Sequence, residues 1–369
     1  MPTVRVALKE RSYPVFIGRG GFSDAGRILR KQRLAQYRAV IVSQKPVADL
    51  YADSLKSALL REGIEPCFFI APYSKSSESS KSQAVFLKLI RALSSADGKG
   101  KSLFLVALGG GVVGDLTGFA ASVYRRGIPY VQIPTTLTAQ VDSAIGGKTS
   151  IDLPQGKNLL GAIYQPRLVL SDTSLLDSLP DRHWSDGFAE VIKYGVIKDP
   201  HLFLMLEREG LGEFRKNHRL LEKVIQRSVK IKAKLVSRDE WDKRDVRMVL
   251  NFGHTAGHAI EAASGYSGRY THGEAVGVGM LVACDIAKAL GVLKDPTLIE
   301  RLEKTLLKFN LPLYTKALST EALLRAMGYD KKTELGANRF VLPVYLGKTT
   351  IVKNIPLTVI SNCLLKRKG

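Results

Sequence analysis

The sequence predicts an α/β domain built on a mostly parallel sheet, followed by an all-α domain. Three observations carry this. In the first half, short apolar runs alternate with helical segments, the pattern of a sheet covered by helices on both faces. A glycine-rich turn, GGGVVGD from Gly109 to Asp115, follows a buried strand and opens a helix. Beyond Leu179-Pro180 the alternation stops and helix follows helix, which places a boundary between residues 1–180 and 181–369.

Taken in order, Val4, Val6 and Leu8 alternate as a half-buried strand, and Val15–Ile17 form a second. Gly18, Gly20 and Gly21 punctuate before a helix ending near Arg33. Ala39–Val42 reads as a short, fully buried strand, and Pro46 suits the first turn of a helix running to about Glu62. Cys67–Ile70 is the next strand, Ser74–Ser82 a serine-rich loop, Ala84–Leu93 a helix and Leu103–Leu108 another buried strand. Ile133–Pro166 is a long polar and glycine-rich passage, and Phe188–Asp199 reads as helix.

Composition narrows the function classes. A chain of 369 residues, 45% hydrophobic, is long enough for two domains and a sizeable core without staples. Its three cysteines, Cys67, Cys284 and Cys363, are far apart and form no CxxC pair, so neither a disulfide framework nor a cysteine zinc site is expected. The N-terminus alternates apolar and charged residues, unlike a signal peptide, and no run without charge or proline has the length of a membrane span. The expectation is a soluble, cytoplasmic protein with no membrane partner. The formal charge of +21 raises nucleic acid as a partner, with Lys223, Arg227, Lys230 and Lys234 at helical spacing. No aromatics interleave with them, so the stripe reads as a solvated helix face, and the excess charge as attraction for a small anion.

Candidate chemistry clusters in a few places. His254 and His258 stand four apart, on one face of a helix, where they can grip one ion or one substrate. Three of the six histidines (His254, His258, His272) lie among Gly, Ala and Thr; core histidines at a close helix crossing are the plainer alternative. Glu190 and Lys193 share an otherwise apolar helical face, which makes the carboxylate a candidate ligand or acid. Gly109, Gly111 and Gly114 have the spacing of a pyrophosphate cradle, although no acidic residue follows at the distance that would hold a ribose. Thr135 and Thr136 offer hydroxyls at a strand end, and Asp142, Lys148, Lys157 and Asn158 can converge on one anionic ligand or remain ordinary surface groups.

GGGVVGD, VDSAIGGKTSID, GKNLLGAIYQP, FAEVIKYG, NFGHTAGHAIE and HGEAV, in this order and spacing, make the chain resemble the 3-dehydroquinate synthase family of sugar phosphate cyclases. The resemblance implies a Rossmann-like nucleotide-binding domain, a helical metal-binding domain, bound NAD, Zn2+ or Co2+, and a homodimer. It implies that 3-deoxy-D-arabino-heptulosonate 7-phosphate, a phosphorylated sugar acid, is oxidised at C5, loses phosphate, is reduced again, and closes by ring opening and an aldol step to 3-dehydroquinate.

Carried over position by position, the resemblance makes Glu190, His254 and His272 the metal ligands, with His258 touching the sugar. Glu78, Lys81, Gly110, Gly111, Asp115, Thr135, Thr136, Lys148, Lys157 and Ser178 match cofactor positions. Asp142, Lys148, Asn158, Lys193, Lys232, Arg247, Asn251 and His258 match substrate positions; Arg126 matches one supplied by the neighbouring subunit, and Lys331 or Lys332 one reaching phosphate. Ser77 replaces a usual glycine, Ser178 a usual threonine, and WDKRDVR before Asn251 lacks the usual Glu-x-Gly spacing. Cyclases making deoxy-inosose or valiolone rings and glycerol-dehydrogenase-like enzymes are the rival readings. Arg247, Lys232 and Asn158 favour a substrate bearing a carboxylate.

Overall fold

The computed structural model describes residues 1–73, 77–98, 102–316, 318–328 and 338–369; Lys331 and Lys332 lie outside them. The chain forms two compact units, Met1–Leu179 with Leu221–Trp241, and Pro180–Leu220 with Asp242–Gly369. Leu221–Trp241 follows residue 180 in sequence yet packs with the first unit.

The first unit contains β1 (Thr3–Val6), β2 (Tyr13–Gly18), α1 (Ala25–Lys31), β3 (Arg38–Gln44), α2 (Lys45–Leu60), β4 (Pro66–Ala71), α3 (Gln83–Ala96), β5 (Leu103–Gly109), α4 (Gly111–Val123), β6 (Tyr130–Pro134), β7 (Lys148–Leu153), β8 (Gly156–Ile163) and β9 (Val169–Asp172). Seven strands form one sheet in the order β1-β2-β9-β6-β5-β3-β4. Only β1 is antiparallel to its neighbour. Every residue of β5 is buried, because alternate side chains feed the cores on opposite faces. Phe104, Val106 and Leu108 pack with α1 and α2 residues such as Leu29, Leu55 and Leu59. Leu103, Leu105 and Ala107 pack with Leu89 and Leu93 of α3 and Leu116 of α4. Since β3 continues to β4 on one side while β5 and β6 lie on the other, the strand order reverses between β3 and β5. The glycine turn at the carboxyl end of β5 therefore sits at the switch point where open α/β sheets bind ligands.

Two sequence expectations need correction here. Part of the passage expected to be irregular is the antiparallel hairpin β7–β8, paired from Lys148↔Ile163 to Leu153↔Gly156. No residue of its β8 strand is buried, and its sequence GKNLLGAI lacks the alternation that signals a half-buried strand. Within the serine-rich loop, Ser77–Lys81 form a 3-10 turn.

α5 (Asp181–Lys198), α6 (Pro200–Arg208) and α7 (Leu211–Lys216) lead into α8 (His218–Arg238). α8 buries Val224, Val229, Lys232, Ala233 and Val236, while Lys223, Lys230 and Lys234 are exposed, an amphipathic arrangement. The second unit continues with α9 (His254–Ala263), α10 (His272–Ala289), α11 (Leu298–Lys308), α12 (Thr320–Ala326), β10 (Arg339–Tyr345), β11 (Lys348–Lys353) and α13 (Leu357–Lys366). The β10–β11 hairpin interrupts what the sequence presents as helix throughout. α5 is buried from Trp184 to Ile197, and α10 from Ala275 to Ala287, so both are central helices. Phe188, Phe214 and Phe309 pack as a ring cluster beside α5. α9 crosses α10 very closely: a Cβ on Gly279 would stand 2.0 Å from the Gly253 carbonyl oxygen. No helix among the described residues is long and apolar enough to cross a membrane.

Candidate metal centre and cofactor cradle

Three helices of the second unit converge on one point. Glu190 projects from the middle of α5, and His254 and His272 occupy the first positions of α9 and α10. The Nε2 atoms of His254 and His272 stand 3.5 and 3.3 Å from Glu190 Oε1. A tetrahedral ion with bonds of about 2.1 Å has ligand–ligand edges of about 3.4 Å, and both separations from Glu190 Oε1 match such an edge, with all three ligand atoms within 4.8 Å of one another. The other ring nitrogens are occupied. His254 Nδ1 lies 3.2 Å from the Phe252 carbonyl, and His272 Nδ1 lies 3.3 Å from Glu261 Oε2. Donation of each Nδ1–H to its oxygen aims both Nε2 atoms at a cation, His272 Nε2 once it has given up its proton. The donor set of one carboxylate and two imidazoles thus fits Zn2+ or Co2+, with a face left for substrate. A second group, His258, Glu261 and His272, is more exposed and shares His272.

Charge is tightly arranged around this point. Lys193, three residues along α5, pairs with Glu190, and both side chains are buried. Against the opposing effect of burial, Lys193 and the histidines hold the Glu190 carboxyl well below its usual range. Burial and Lys193 lower His254 to about 3, so it is neutral. Burial also opposes protonation of His272, yet Glu190 and Glu261 raise it to about 10.

In the first unit, four of the expected cofactor residues, Glu78, Lys81, Asp115 and Lys157, lie together. Lys81 Nζ lies 2.7 Å from Asp115 Oδ2 and also bonds Asn158 Oδ1. Glu78 lies 3.9 Å from Lys81 and 3.7 Å from Lys157. Ser150 donates to Asn158 Oδ1 at 2.8 Å, and Asn158 N donates to Asp152 at 2.8 Å. Gly110 caps α4 without a side chain, so no cap hydroxyl or carboxylate competes for the first-turn N–H groups beside Asp115. Thr135 and Thr136 follow β6, at the same carboxyl ends of the sheet. This cradle suits a dinucleotide phosphate.

The remaining residues have distinct places. Lys232 donates to the Asp142 carbonyl at 2.8 Å and pairs with its carboxylate at 2.9 Å. Lys148 is exposed at the start of β7. Ser178 shares a hydrogen bond of 2.7 Å with Tyr51 Oη. Arg247 is buried and Asn251 exposed in the short turn Val246–Asn251. His258 is exposed, its ring centroid 5.3 Å from that of His254. Arg125 pairs with Asp97 at 2.6 Å, whereas the exposed Arg126, at φ 62°, has no hydrogen bond or ion pair among the described residues. Sequence reasoning did not single out Glu261, although its place seven residues after His254 on α9 was a signal for a shared helical face.

Models of the 3-dehydroquinate synthase N-terminal and C-terminal regions match residues 73–186 and 187–333. The 3-dehydroquinate synthase of Acidithiobacillus ferrooxidans is 42% identical over 364 residues, covering 99% of this chain and 98% of its own. The structure of 2-epi-5-epi-valiolone synthase from Streptomyces hygroscopicus with NAD+ and Zn2+ bound is similar at TM-score 0.85 and 28% identity, covering 98% of both chains. A 2-deoxy-scyllo-inosose synthase complexed with carbaglucose-6-phosphate, NAD+ and Co2+ shares the fold at TM-score 0.85 and 23% identity, covering 99% of this chain and 100% of its own. With its motifs, metal-ligand geometry and near full-length identity in agreement, the chain belongs to the 3-dehydroquinate synthase family.

Proposed function

We propose that the chain converts 3-deoxy-D-arabino-heptulosonate 7-phosphate to 3-dehydroquinate and phosphate, the second step of the shikimate pathway to chorismate and aromatic amino acids. The observation that carries this reading is the convergence of Glu190, His254 and His272 in a chain 42% identical to a 3-dehydroquinate synthase over nearly its whole length. When bound, NAD supplies a transient oxidation of the C5 alcohol, and Zn2+ or Co2+ supplies Lewis-acid polarisation of the C4 and C5 hydroxyls. Glu78, Lys81, Gly110, Gly111, Asp115, Thr135, Thr136, Lys157 and Ser178 hold the cofactor. Lys148, Asn158 and Arg126 hold the substrate phosphate, and Arg247 and Lys232 take the carboxylate. His258, Asn251, Lys193 and Asp142 orient the sugar. With C5 at the ketone level the C6 proton is acidic, the phosphate's own oxygen accepts it, and phosphate leaves. Reduction, ring opening and aldol closure finish without net redox change.

The enzyme acts in the cytoplasm as a homodimer in which Arg126 enters the neighbouring site. Its lack of a partner among the described residues and its left-handed backbone support this role, since strain of this kind persists where function requires it. The test is incubation with the heptulosonate phosphate and sub-stoichiometric NAD. Phosphate release far exceeding NADH absorbance is expected; NADH equal to substrate consumed would mean a dehydrogenase.

A further inference from the structure

We propose that Arg182 and Asp186 are positioning residues of the metal centre, setting the N-terminus of α10 so that His272 meets the ion. The inference rests on the reading of Glu190, His254 and His272 as metal ligands. Arg182, Asp186 and Glu190 stand four apart on α5 and therefore share one edge of that helix. Each meets one of three consecutive residues that open α10. Glu190 Oε1 meets His272 Nε2 at 3.3 Å. Asp186 Oδ1 accepts the Gly273 N–H at 2.7 Å, satisfying a first-turn donor of α10. Arg182 forks onto Glu274, Nε to Oε1 at 3.0 Å and Nη2 to Oε2 at 2.7 Å. The helix carrying the metal's carboxylate thus also sets the height and rotation of the helix carrying an imidazole.

The turn before His272 needs such a clamp. Residues 265–269 are exposed, and Gly265, Tyr266 and Gly268 have positive φ, so buried apolar packing does little to fix this stretch. Arg182 fixes it from α5 by donating to the carbonyls of Gly268 at 3.0 Å and Arg269 at 2.9 Å. Glu274, gripped by the same guanidinium, also closes the capping box with Thr271, the residue before His272. At Gly273 the fit is close: a Cβ would stand 2.5 Å from Asp186 Cα. The planar five-donor guanidinium makes four bonds here, two of them as a fork on one carboxylate, which exceeds the three N–H groups of a lysine.

The test uses full-length protein stripped of metal, titrated with Zn2+ against a chromophoric chelator, with the absorption spectrum of bound Co2+ as a second readout. Arg182→Ala is compared with Arg215→Ala, which removes an ion pair to Asp181 on the same helix without touching α10. Arg182→Ala should weaken Zn2+ binding about tenfold or more and alter the Co2+ spectrum, as loss of an outer ligand-orienting contact does. Both variants are titrated well below their metal-free thermal midpoints, so that a change in Zn2+ affinity is read on folded protein even though Arg182→Ala loses four hydrogen bonds and Arg215→Ala one ion pair. An unchanged Zn2+ affinity, or a loss reproduced by Arg215→Ala, overturns the inference. Failure of the parent protein to take up Zn2+ refutes the metal-site reading instead.

Discussion

Loading the metal centre should release one proton per ion. In the metal-free protein His272 lies between two carboxylates, Glu190 Oε1 and Glu261 Oε2, each 3.3 Å from a ring nitrogen. With its pKa raised to about 10, it is an imidazolium at neutral pH. His254, lowered to about 3, and Glu190, held well below its usual range, have no proton to lose. A divalent ion must therefore displace the Nε2 proton of His272. Affinity should rise about tenfold per pH unit, or about 1.4 kcal/mol, until pH approaches the His272 value. The sign reverses for the stability of the metal-free protein. The contribution of this raised pKa is complete below the ordinary histidine value of 6.5 and is lost as pH rises toward about 10. Calorimetric Zn2+ titrations in buffers of different ionisation enthalpy count the protons directly. Glu261→Gln should lower the His272 pKa and reduce the release measured at pH 8. A release of zero, with affinity flat in pH, would show that the carboxylates do not hold His272 charged; a release of two would show that a second group beside it gives up a proton.

Three further outcomes are expected. His258→Ala should keep the parent's Zn2+ affinity, because its ring lies outside the Glu190–His254–His272 group, but lose kcat on the order of a hundredfold through lost substrate orientation; metal loss in this variant would make it a ligand. Arg126→Ala and His254→Ala, each nearly inactive alone, should regain about a quarter of parental activity after random subunit exchange, since half the dimers are mixed and half their sites intact. No recovery, with exchange verified by tagged subunits, would place Arg126 in its own chain's site or in none. Gly273→Ala should cost roughly 1–3 kcal/mol in chemical denaturation, because its Cβ meets the Asp186 backbone at 2.5 Å. Unchanged stability would mean that the α5–α10 contact relaxes freely.

The parallel sheet was legible because its strands are buried on both faces and so read as apolar runs, as Leu103–Leu108 does within β5. The β7–β8 and β10–β11 hairpins were not. β8 and β11 are largely exposed, so neither shows the alternation of a half-buried strand, and the Pro154-Gln155-Gly156 turn of the first hairpin stands among so many other glycines and polar residues that it does not mark strands on either side. The histidine cluster shows the same limit within the site. Spacing pairs His254 with His258 on one helical face, and the structure does keep their rings 5.3 Å apart. The nitrogens that converge on Glu190, however, belong to His254 and His272, at the starts of two different helices.

By itself the sequence determined the α/β-then-helical order, the glycine turn after a buried strand, and the residue types of the site, because periodicity and local chemistry are written within a few residues. Tertiary packing alone decided which groups meet. The α9–α10 crossing, close enough that Gly279 tolerates no side chain, and the edge of α5 that carries Glu190 bring that carboxylate to two histidines more than sixty residues further along the chain. It also brought Glu261 to His272 Nδ1 and Arg182 to the turn before it. Such contacts depend on the angle and height at which helices pack, and no spacing within one helix encodes them.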